Sequence, residues 1–123
     1  MTREQALVFA AEWAAAWNDR AIERVLAHFD EDITFTSPTA QAVVGEPTVR
    51  GKEALRAYWT KALAQIRSLV FTVDRVLWDE RTRELAIIYG SDADGRRKRM
   101  SENLTFGPSG RIVSAEVFHG VSG

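Results

Sequence analysis

The chain has 123 residues, with 16 basic and 17 acidic side chains, a net charge of −1 and no cysteine. Its length predicts one domain, and a composition of 46% hydrophobic and 27% charged residues excludes disorder and collagen-like or coiled-coil chains. The balanced charge excludes a global attraction to nucleic acid or membranes, and the missing cysteines exclude disulfides and thiolate chemistry. No apolar stretch is long enough for a signal peptide or a membrane span, so we expect a single cytoplasmic domain over residues 1–123.

Two helices are predicted at the start of the chain. Thr2 and Gln5 have the spacing of a capping box, and an Ala/Leu/Trp segment continues to Trp17, which predicts the first helix. Apolar residues spaced i, i+3, i+4, i+7 over residues 22–29 predict a second, shorter helix.

A short strand, a loop and a third helix follow. Residues 33–37 alternate between apolar and polar side chains, which predicts the strand. Residues 38–51 contain two prolines and two glycines without periodicity, and we interpret them as an irregular lid or rim. The apolar stripe over residues 55–66 predicts the third helix.

The remainder of the chain predicts four strands joined by hairpin turns, over residues 69–78, 84–92, 96–106 and 111–119. Helices that precede a run of hairpins are typical of an α+β domain. We therefore expect a curved antiparallel sheet wrapped around three N-terminal helices.

Glu102 is a carboxylate on the apolar face of its predicted strand, because it alternates in phase with Met100 and Leu104. Pairing across the last turn, with residue numbers that sum to 217, places Glu102 opposite Ala115 and Met100 opposite Val117. A buried carboxylate is costly unless it is hydrogen-bonded or protonated. It is therefore either a general acid/base with a raised pKa or a carboxylate held by donors in an inert core.

Tyr89 is predicted to face the same interior. Which face of strand 69–78 points inward is left open, because Arg75 interrupts the alternation of apolar and polar residues and indicates a bulge. His119 continues the inner face of the last strand. With the pairing above it lies about 13 Å from Glu102, too far for direct contact. His28 is assigned to a helix surface without chemistry.

An aromatic-lined pocket is predicted, because Trp13, Trp17, Tyr58 and Trp59 are too bulky to close over a small curved sheet. The basic run at 96–99 begins at a hairpin turn beside acidic residues, and we interpret it as solvated rather than as a nucleic-acid site. No His, Asp or Glu residues have the spacing of metal ligands, so no metal and no cofactor are expected.

Several segments resemble a known family: residues 13–18 (WAAAWN), 29–38 (FDEDITFTSP) and 51–55 (GKEAL), with 102–106 (ENLTF) and 110–113 (GRIV) in the last hairpin. They are similar to the nuclear transport factor 2-like superfamily, in its SnoaL-like and ketosteroid-isomerase-like branch, over nearly the whole chain. The resemblance implies a cone-shaped, cystatin-like half-barrel with a pocket between sheet and helices, usually in a homodimer. Because such folds carry many functions, it implies no single reaction.

The resemblance also assigns positions to the ketosteroid isomerase site, which uses a tyrosine, a protonated aspartate and an aspartate base. The tyrosine falls at Trp13, the protonated acid at Glu102, and the base at Ser37, directly before Pro38. A serine without an adjacent base cannot take a proton from a carbon acid, so steroid isomerisation itself is not expected.

We expect a small-molecule pocket protein that is either an enzyme of isomerase, cyclase or hydrolase type or a non-catalytic ligand-binding or dimerisation domain of the same fold. In the first case Glu102 is the catalytic residue and the substrate is a small apolar organic molecule. The expected ligand-binding residues are Trp13, Trp17, Phe35, Ser37, Trp59, Tyr89, Met100, Ala115, Val117 and His119.

A homodimer is expected on the outer face of the sheet, where Ile88, Ile112 and Phe118 would form an apolar patch among small and polar residues. The alternative is that sheet twist separates these three side chains into single exposures. The polar and small members of this face are Ala86, Gly90, Ser101, Asn103, Thr105, Ser114 and Glu116.

Overall fold

Residues 1–122 are described by a computed structural model with four helices and six strands. The elements are α1 Arg3–Asn18, α2 Ile22–Leu26, β1 Phe29–Thr36, α3 Pro38–Val44, β2 Thr48–Arg50, α4 Lys52–Ala64, β3 Leu69–Asp79, β4 Glu84–Ala93, β5 Arg96–Phe106 and β6 Ile112–Ser122. The strands form one sheet in the order β2-β1-β6-β5-β4-β3. This arrangement confirms the α+β fold class and the predicted four-strand meander.

The sheet is mostly antiparallel and extends beyond the meander at one edge. β1 runs parallel to β6, and β2 pairs antiparallel with β1. The parallel pair is possible because the long connection through β2 to β5 lets the chain return beside its first strand. In the described residues the helices number four rather than the expected three.

The first helix agrees with the sequence pattern and the second is shorter than predicted. Thr2 and Gln5 form the capping box of α1, which confirms that prediction. The second helix ends at Leu26, and Phe29 opens β1, so the helical assignment of residues 27–29 was wrong. Phe29 is fully buried and pairs with Ile112 of β6. At this position, pairing within the sheet outweighs the helical spacing of the apolar residues.

Residues 38–51 are not an irregular loop, which corrects the predicted lid. Ser37 is the N-cap of α3, accepts a hydrogen bond from the Thr39 backbone N–H at 3.1 Å, and is followed by Pro38 in the first turn. Gly45, with φ of 84°, ends the helix in the left-handed conformation. Serine, proline and glycine therefore act as helix start and stop signals here, not as loop formers.

The pairing of β5 with β6 differs from the prediction by two residues. Glu102 lies opposite Val117, Leu104 opposite Ala115 and Met100 opposite His119. One residue of the shift comes from a longer turn, in which the Gly107 N–H donates to the Arg111 carbonyl at 2.8 Å. The other comes from a bulge between the pairs Phe106–Ile112 and Thr105–Ser114, which leaves one extra residue on β6.

The same bulge changes which face Ile112 occupies. Ile112 was expected on the outer face but is fully buried, because the extra residue turns it toward the helices. Phe118 is 53% exposed, as expected for an outer-face residue. The outer apolar patch therefore lacks one of its three predicted members.

Strand β3 contains the bulge that its interrupted alternation indicated. The register against β4 shifts between Val73 and Arg75. After it Val76 is buried, whereas Leu77, which continued the earlier alternation, is 57% exposed. The sequence located the irregularity but not its effect on the residues that follow.

The core lies between the inner face of the sheet and the helices, where α1 packs on β3 and α4 on β1. Its fully buried side chains include Leu85, Ile87 and Leu104 on neighbouring strands. No helix within residues 1–122 combines the length and apolarity that crossing a membrane requires.

Candidate functional site

A cavity of about 470 Å³ lies between the sheet and the helices. Most of its wall is aromatic and aliphatic. Its aromatic side chains come from α1, β1, α4, β3 and β4 and are Trp17, Phe35, Tyr58, Trp59, Phe71 and Tyr89. A cavity with this lining is suited to a small organic molecule with a large apolar surface.

Glu102 projects from β5 into this cavity and is only 4% exposed. The Tyr89 hydroxyl donates a hydrogen bond to Glu102 Oε1 at 2.9 Å. The second carboxyl oxygen has no hydrogen-bond partner among the described side chains and remains available to a ligand. One oxygen of Glu102 is thus oriented by the protein and the other can contact what enters the cavity.

The environment of Glu102 favours its protonated form. Burial raises its pKa to about 7, although the hydrogen bond from Tyr89 acts in the opposite direction. Tyr89 itself is buried beside this carboxylate, and burial raises its pKa well above the ordinary value. Near neutral pH Glu102 therefore exists in both protonation states, whereas Tyr89 remains a hydrogen-bond donor.

His119 shares the cavity with Glu102 and is closer to it than the predicted pairing implied. Because Glu102 lies opposite Val117, His119 is its diagonal neighbour on β6, at a Cα separation of about 7–8 Å rather than 13 Å. The two side chains share no hydrogen bond, and the Thr39 hydroxyl lies 3.5 Å from His119 Nε2. Burial, and secondly the charge of Lys98, lower the pKa of His119 below 6.5, so its ring is neutral at pH 7.

Ser37 lines the cavity, and its hydroxyl oxygen caps α3. It is 3% exposed and accepts the N–H of Thr39. The position that the resemblance assigned to a proton-abstracting carboxylate is therefore a helix cap in this chain.

Two expected ligand-binding residues lie outside the cavity lining. Trp13 is buried behind the wall, with its ring stacked on Phe71 at 5.3 Å and edge-on to Tyr89 at 4.9 Å. Its indole N–H has no hydrogen-bond partner within the described part of the chain. Ala115 is opposite Leu104 rather than Glu102, so the two-residue shift moves it away from the carboxylate.

The structure brings the other predicted residues together around one space. Eight expected ligand-binding residues line the cavity with Glu102, namely Trp17, Phe35, Ser37, Trp59, Tyr89, Met100, Val117 and His119. These residues lie on six different elements, and the site therefore cannot be recognised from a single local motif in the sequence.

Tyr58 lines the cavity, as expected of the bulky aromatic residues that predicted a pocket, although it was not among the expected ligand-binding residues. Burial raises the pKa of Tyr58 to about 12, the Glu102 carboxylate adds to the rise, and the Ser37 and Thr39 side chains act against it. A buried phenol needs a polar neighbour, and this need was the signal that could have placed Tyr58 among the expected ligand-binding residues. Tyr58 is a second neutral donor near Glu102.

Arg96 and Lys98 were missed as cavity-lining residues. The alternation that selected Glu102 places both on the same face, and this signal was present in the sequence. For metals, no group of three His, Asp or Glu side chains with suitable geometry occurs within residues 1–122.

Comparison with known proteins identifies both a family model and solved structures. A family model for the SnoaL-like domain matches residues 10–115. A SnoaL-like protein of unknown function from Burkholderia thailandensis is 33% identical, with 98% of each chain covered and a TM-score of 0.87. No curated protein matches the chain significantly.

More distant structures share the fold. The BvnE pinacolase from Penicillium brevicompactum is 22% identical over 97% of this chain and 88% of its own, with a TM-score of 0.76. A proposed ketosteroid isomerase from Kribbella flavida is 19% identical over 97% of this chain and 80% of its own, with a TM-score of 0.73. At these identities the likeness shows the fold alone.

Proposed function

The chain belongs to the SnoaL-like domain family, and from that premise we propose that it is an enzyme acting on a small, largely apolar organic molecule through Glu102. The family match confirms the resemblance found in the sequence, and the fold is shared by isomerases, cyclases and hydrolases and by proteins of unknown function. The reaction class of the proposal is proton transfer to or from the ligand, or activation of water beside it.

The observation that carries the proposal is the position of the Glu102 carboxyl group, which is buried in the cavity wall beside the Tyr89 hydroxyl. The Glu102 pKa of about 7 is close to the operating pH, where a group is most effective as either acid or base. One oxygen is held by Tyr89, which orients the group, and the other faces the cavity. A carboxyl group in this state can donate a proton to a ligand oxygen and take it back.

The neighbouring groups have complementary roles in this proposal. His119 is neutral at pH 7 and shares the cavity, so it accepts a proton from water or from the ligand. Tyr58 remains protonated, with a pKa of about 12, and donates a hydrogen bond to an oxygen that gains negative charge. Two titratable groups whose environments favour different protonation states are a common basis for acid/base catalysis.

Steroid isomerisation is not part of the proposal. Ser37 replaces the carboxylate base of that reaction, and its hydroxyl serves as the cap of α3. The apolar cavity and the protonated acid remain, and they suit reactions that begin with protonation of an epoxide, a carbonyl or a hydroxyl oxygen.

The alternative is a non-catalytic ligand-binding domain of the same fold. It is favoured by one specific observation: Glu102 is the sole carboxylate that lines the cavity within the described residues. A single acid can serve as a hydrogen-bond partner for a ligand without any reaction.

Two test reactions with small substrates distinguish an enzyme from a non-catalytic ligand-binding domain. Hydrolysis of styrene oxide requires activated water and an acid, and ring closure of the hydroxy-epoxide 4,5-epoxypentan-1-ol to its isomeric cyclic ether requires a proton on the epoxide oxygen. We expect catalysis of at least one reaction and a loss of roughly 100-fold or more in Glu102→Gln, whereas Glu80→Gln in the exposed β3–β4 turn has no effect. Binding of both compounds without turnover of either contradicts catalysis and favours the binding function.

The proposal includes a homodimer formed by the outer face of the sheet, in the cytoplasm. Leu77 and Phe118 are both more than half exposed, and Ile88, Ser101 and Phe118 are neighbours across three strands. A second copy of the chain would cover these apolar side chains on both subunits at once.

A further inference from the structure

The basic run 96–99 is divided by strand alternation into two pairs with different surroundings. β5 pairs with β4 in an unbroken register over this region, so successive side chains alternate between the two faces. Arg97 is bonded to Asp92 at 3.4 Å and Arg99 to Asp74 at 2.8 Å. Arg96 and Lys98 line the cavity and form no ion pair within residues 1–122.

Among the described residues, neither of the two cavity-facing cations has an acidic side chain within ion-pair distance. The pKa of Asp94 is lowered mainly by hydrogen bonds from the backbone N–H groups of Ser68 and Arg67, at 2.9 and 3.0 Å, and to a smaller extent by the charge of Arg96. Asp94 therefore offsets part of the Arg96 charge without forming an ion pair with it. Lys98 and His119 line the same cavity, and the pKa of His119 is lowered by burial and secondly by the charge of Lys98. The outer pair forms ion pairs and the inner pair does not.

The two cations lie at the opposite end of the cavity from Glu102. Lys98 and Glu102 are four residues apart on a regular strand, a separation of about 13 Å, and Met100 lies between them. Arg96 is two residues further out, beside the β4–β5 turn. Glu102 is buried, whereas Arg96 and Lys98 are exposed, so the cations mark the mouth.

We infer that the cavity takes an elongated amphiphile, with an apolar body between the aromatic walls and an anionic group, such as a carboxylate or sulfonate, held at the mouth by Lys98 and Arg96. The inner end of this ligand carries the neutral oxygen that meets Glu102. This inference rests on the proposed function, because it describes the ligand of the same cavity. It specifies that one end of the ligand is anionic, which the apolar lining alone does not.

Because the net charge of the chain is −1, any attraction of an anionic ligand is local to the mouth of the cavity. A chain with no positive excess does not attract anions in general, so any preference for an anionic ligand must come from particular side chains. Exposed cations such as Arg96 and Lys98 retain part of their hydration, and each contributes modestly to binding.

A matched pair of fluorescent probes tests the inference. Anilinonaphthalene sulfonate and phenylnaphthylamine share the same aromatic body and differ in the anionic group. We expect the sulfonate to bind more tightly than the neutral probe, and the double variant Arg96→Gln/Lys98→Gln to weaken the sulfonate by about fivefold while leaving phenylnaphthylamine unchanged. The difference should shrink at high ionic strength, because salt screens exposed charges.

The control variant is Arg97→Gln/Arg99→Gln, which removes the same charge from the outer face of the same strand. It should leave the affinity of both probes unchanged. Equal weakening of the sulfonate by both double variants, or equal binding of the two probes by the native chain, overturns the inference.

A cavity-filling variant keeps this outcome separate from the proposed function. Ala62 lines the cavity from α4, and Ala62→Trp should abolish binding of both probes. If phenylnaphthylamine binding is lost in Ala62→Trp but the sulfonate has no advantage, the anionic group is wrong and the pocket function stands. If Ala62→Trp affects neither probe, the cavity is not the binding site and the proposed function fails with the inference.

Discussion

The protonation state of Glu102 is a property of one residue that can be measured directly. Burial raises its pKa from 4.5 to about 7. We expect titration of the side-chain carboxyl carbon by NMR to give a midpoint near 7, and a midpoint at or below 4.5 would show that donors hold the group ionised. The second result would exclude Glu102 as a proton donor at neutral pH.

The same shift makes stability depend on pH. An acid whose pKa is raised on folding stabilises the native state when protonated, and this stability is lost as the pH rises from 4.5 to 7. The expected loss is about 3 kcal/mol of the free energy of unfolding. Urea unfolding of the native chain and of Glu102→Gln across this range isolates the effect, since His28 and His119 titrate in both proteins.

The comparison has one expected outcome and two outcomes that would contradict the role of Glu102. The native chain should lose stability relative to Glu102→Gln as the pH rises and become the less stable protein above pH 7, because the amide keeps the shape without a buried charge. A difference between the two proteins that does not change with pH contradicts a raised pKa. Strong destabilisation by Glu102→Gln with unchanged ligand binding would identify Glu102 as a structural acid.

At the scale of elements, the helix α3 is the part of the cavity wall whose sequence signals are the easiest to test. Ser37→Ala removes its cap, and we expect a loss of about 1 kcal/mol in the free energy of unfolding. Because Ser37 itself and Pro38, Thr39 and Val43 of α3 line the cavity, the same change should weaken binding of phenylnaphthylamine. Thr2→Ala is the control, since it removes the cap of α1 far from the cavity and should lower stability alone.

The register of β6 against β5 determines which side chains of β6 lie near Glu102. A turn of one more residue and a bulge together move His119 opposite Met100 and Ala115 opposite Leu104. Alternation in the sequence is sufficient to assign the inner face, but pairing depends on turn length and bulges. The proximity of His119 and Glu102 is therefore a property of the hairpin.

At the scale of the whole molecule, the proposed dimer depends on the exposed outer face. We expect sedimentation at micromolar concentration to give a mass near twice 13.8 kDa. Phe118→Asp should shift the protein to the monomer, because it places a charge in an apolar interface. Val8→Asp is the matched control on an exposed position of α1, and a mass of 13.8 kDa for the native chain would contradict the dimer.

The sequence alone was sufficient for the fold class, the four-strand meander and the inward position of Glu102. These features follow from local periodicity, and the resemblance of residues 13–18 and 102–106 to a family agreed with them. The capping box at Thr2 and the bulge in β3 were also visible, since each depends on neighbouring residues. Residues 38–51 were misassigned although Ser37, Pro38 and Gly45 carried helix signals, because the same residue types also form loops.

Only the tertiary structure determined which of the inward-facing residues share a cavity. Trp13 and Trp17 lie one turn apart on α1, yet Trp17 lines the cavity and Trp13 lies behind its wall. Likewise, alternation places Arg96 and Lys98 in phase with Glu102, but whether a strand face meets helices, solvent or a cavity depends on elements distant in the chain. Local periodicity determines the direction of a side chain, and the packing of distant elements determines what that side chain contacts.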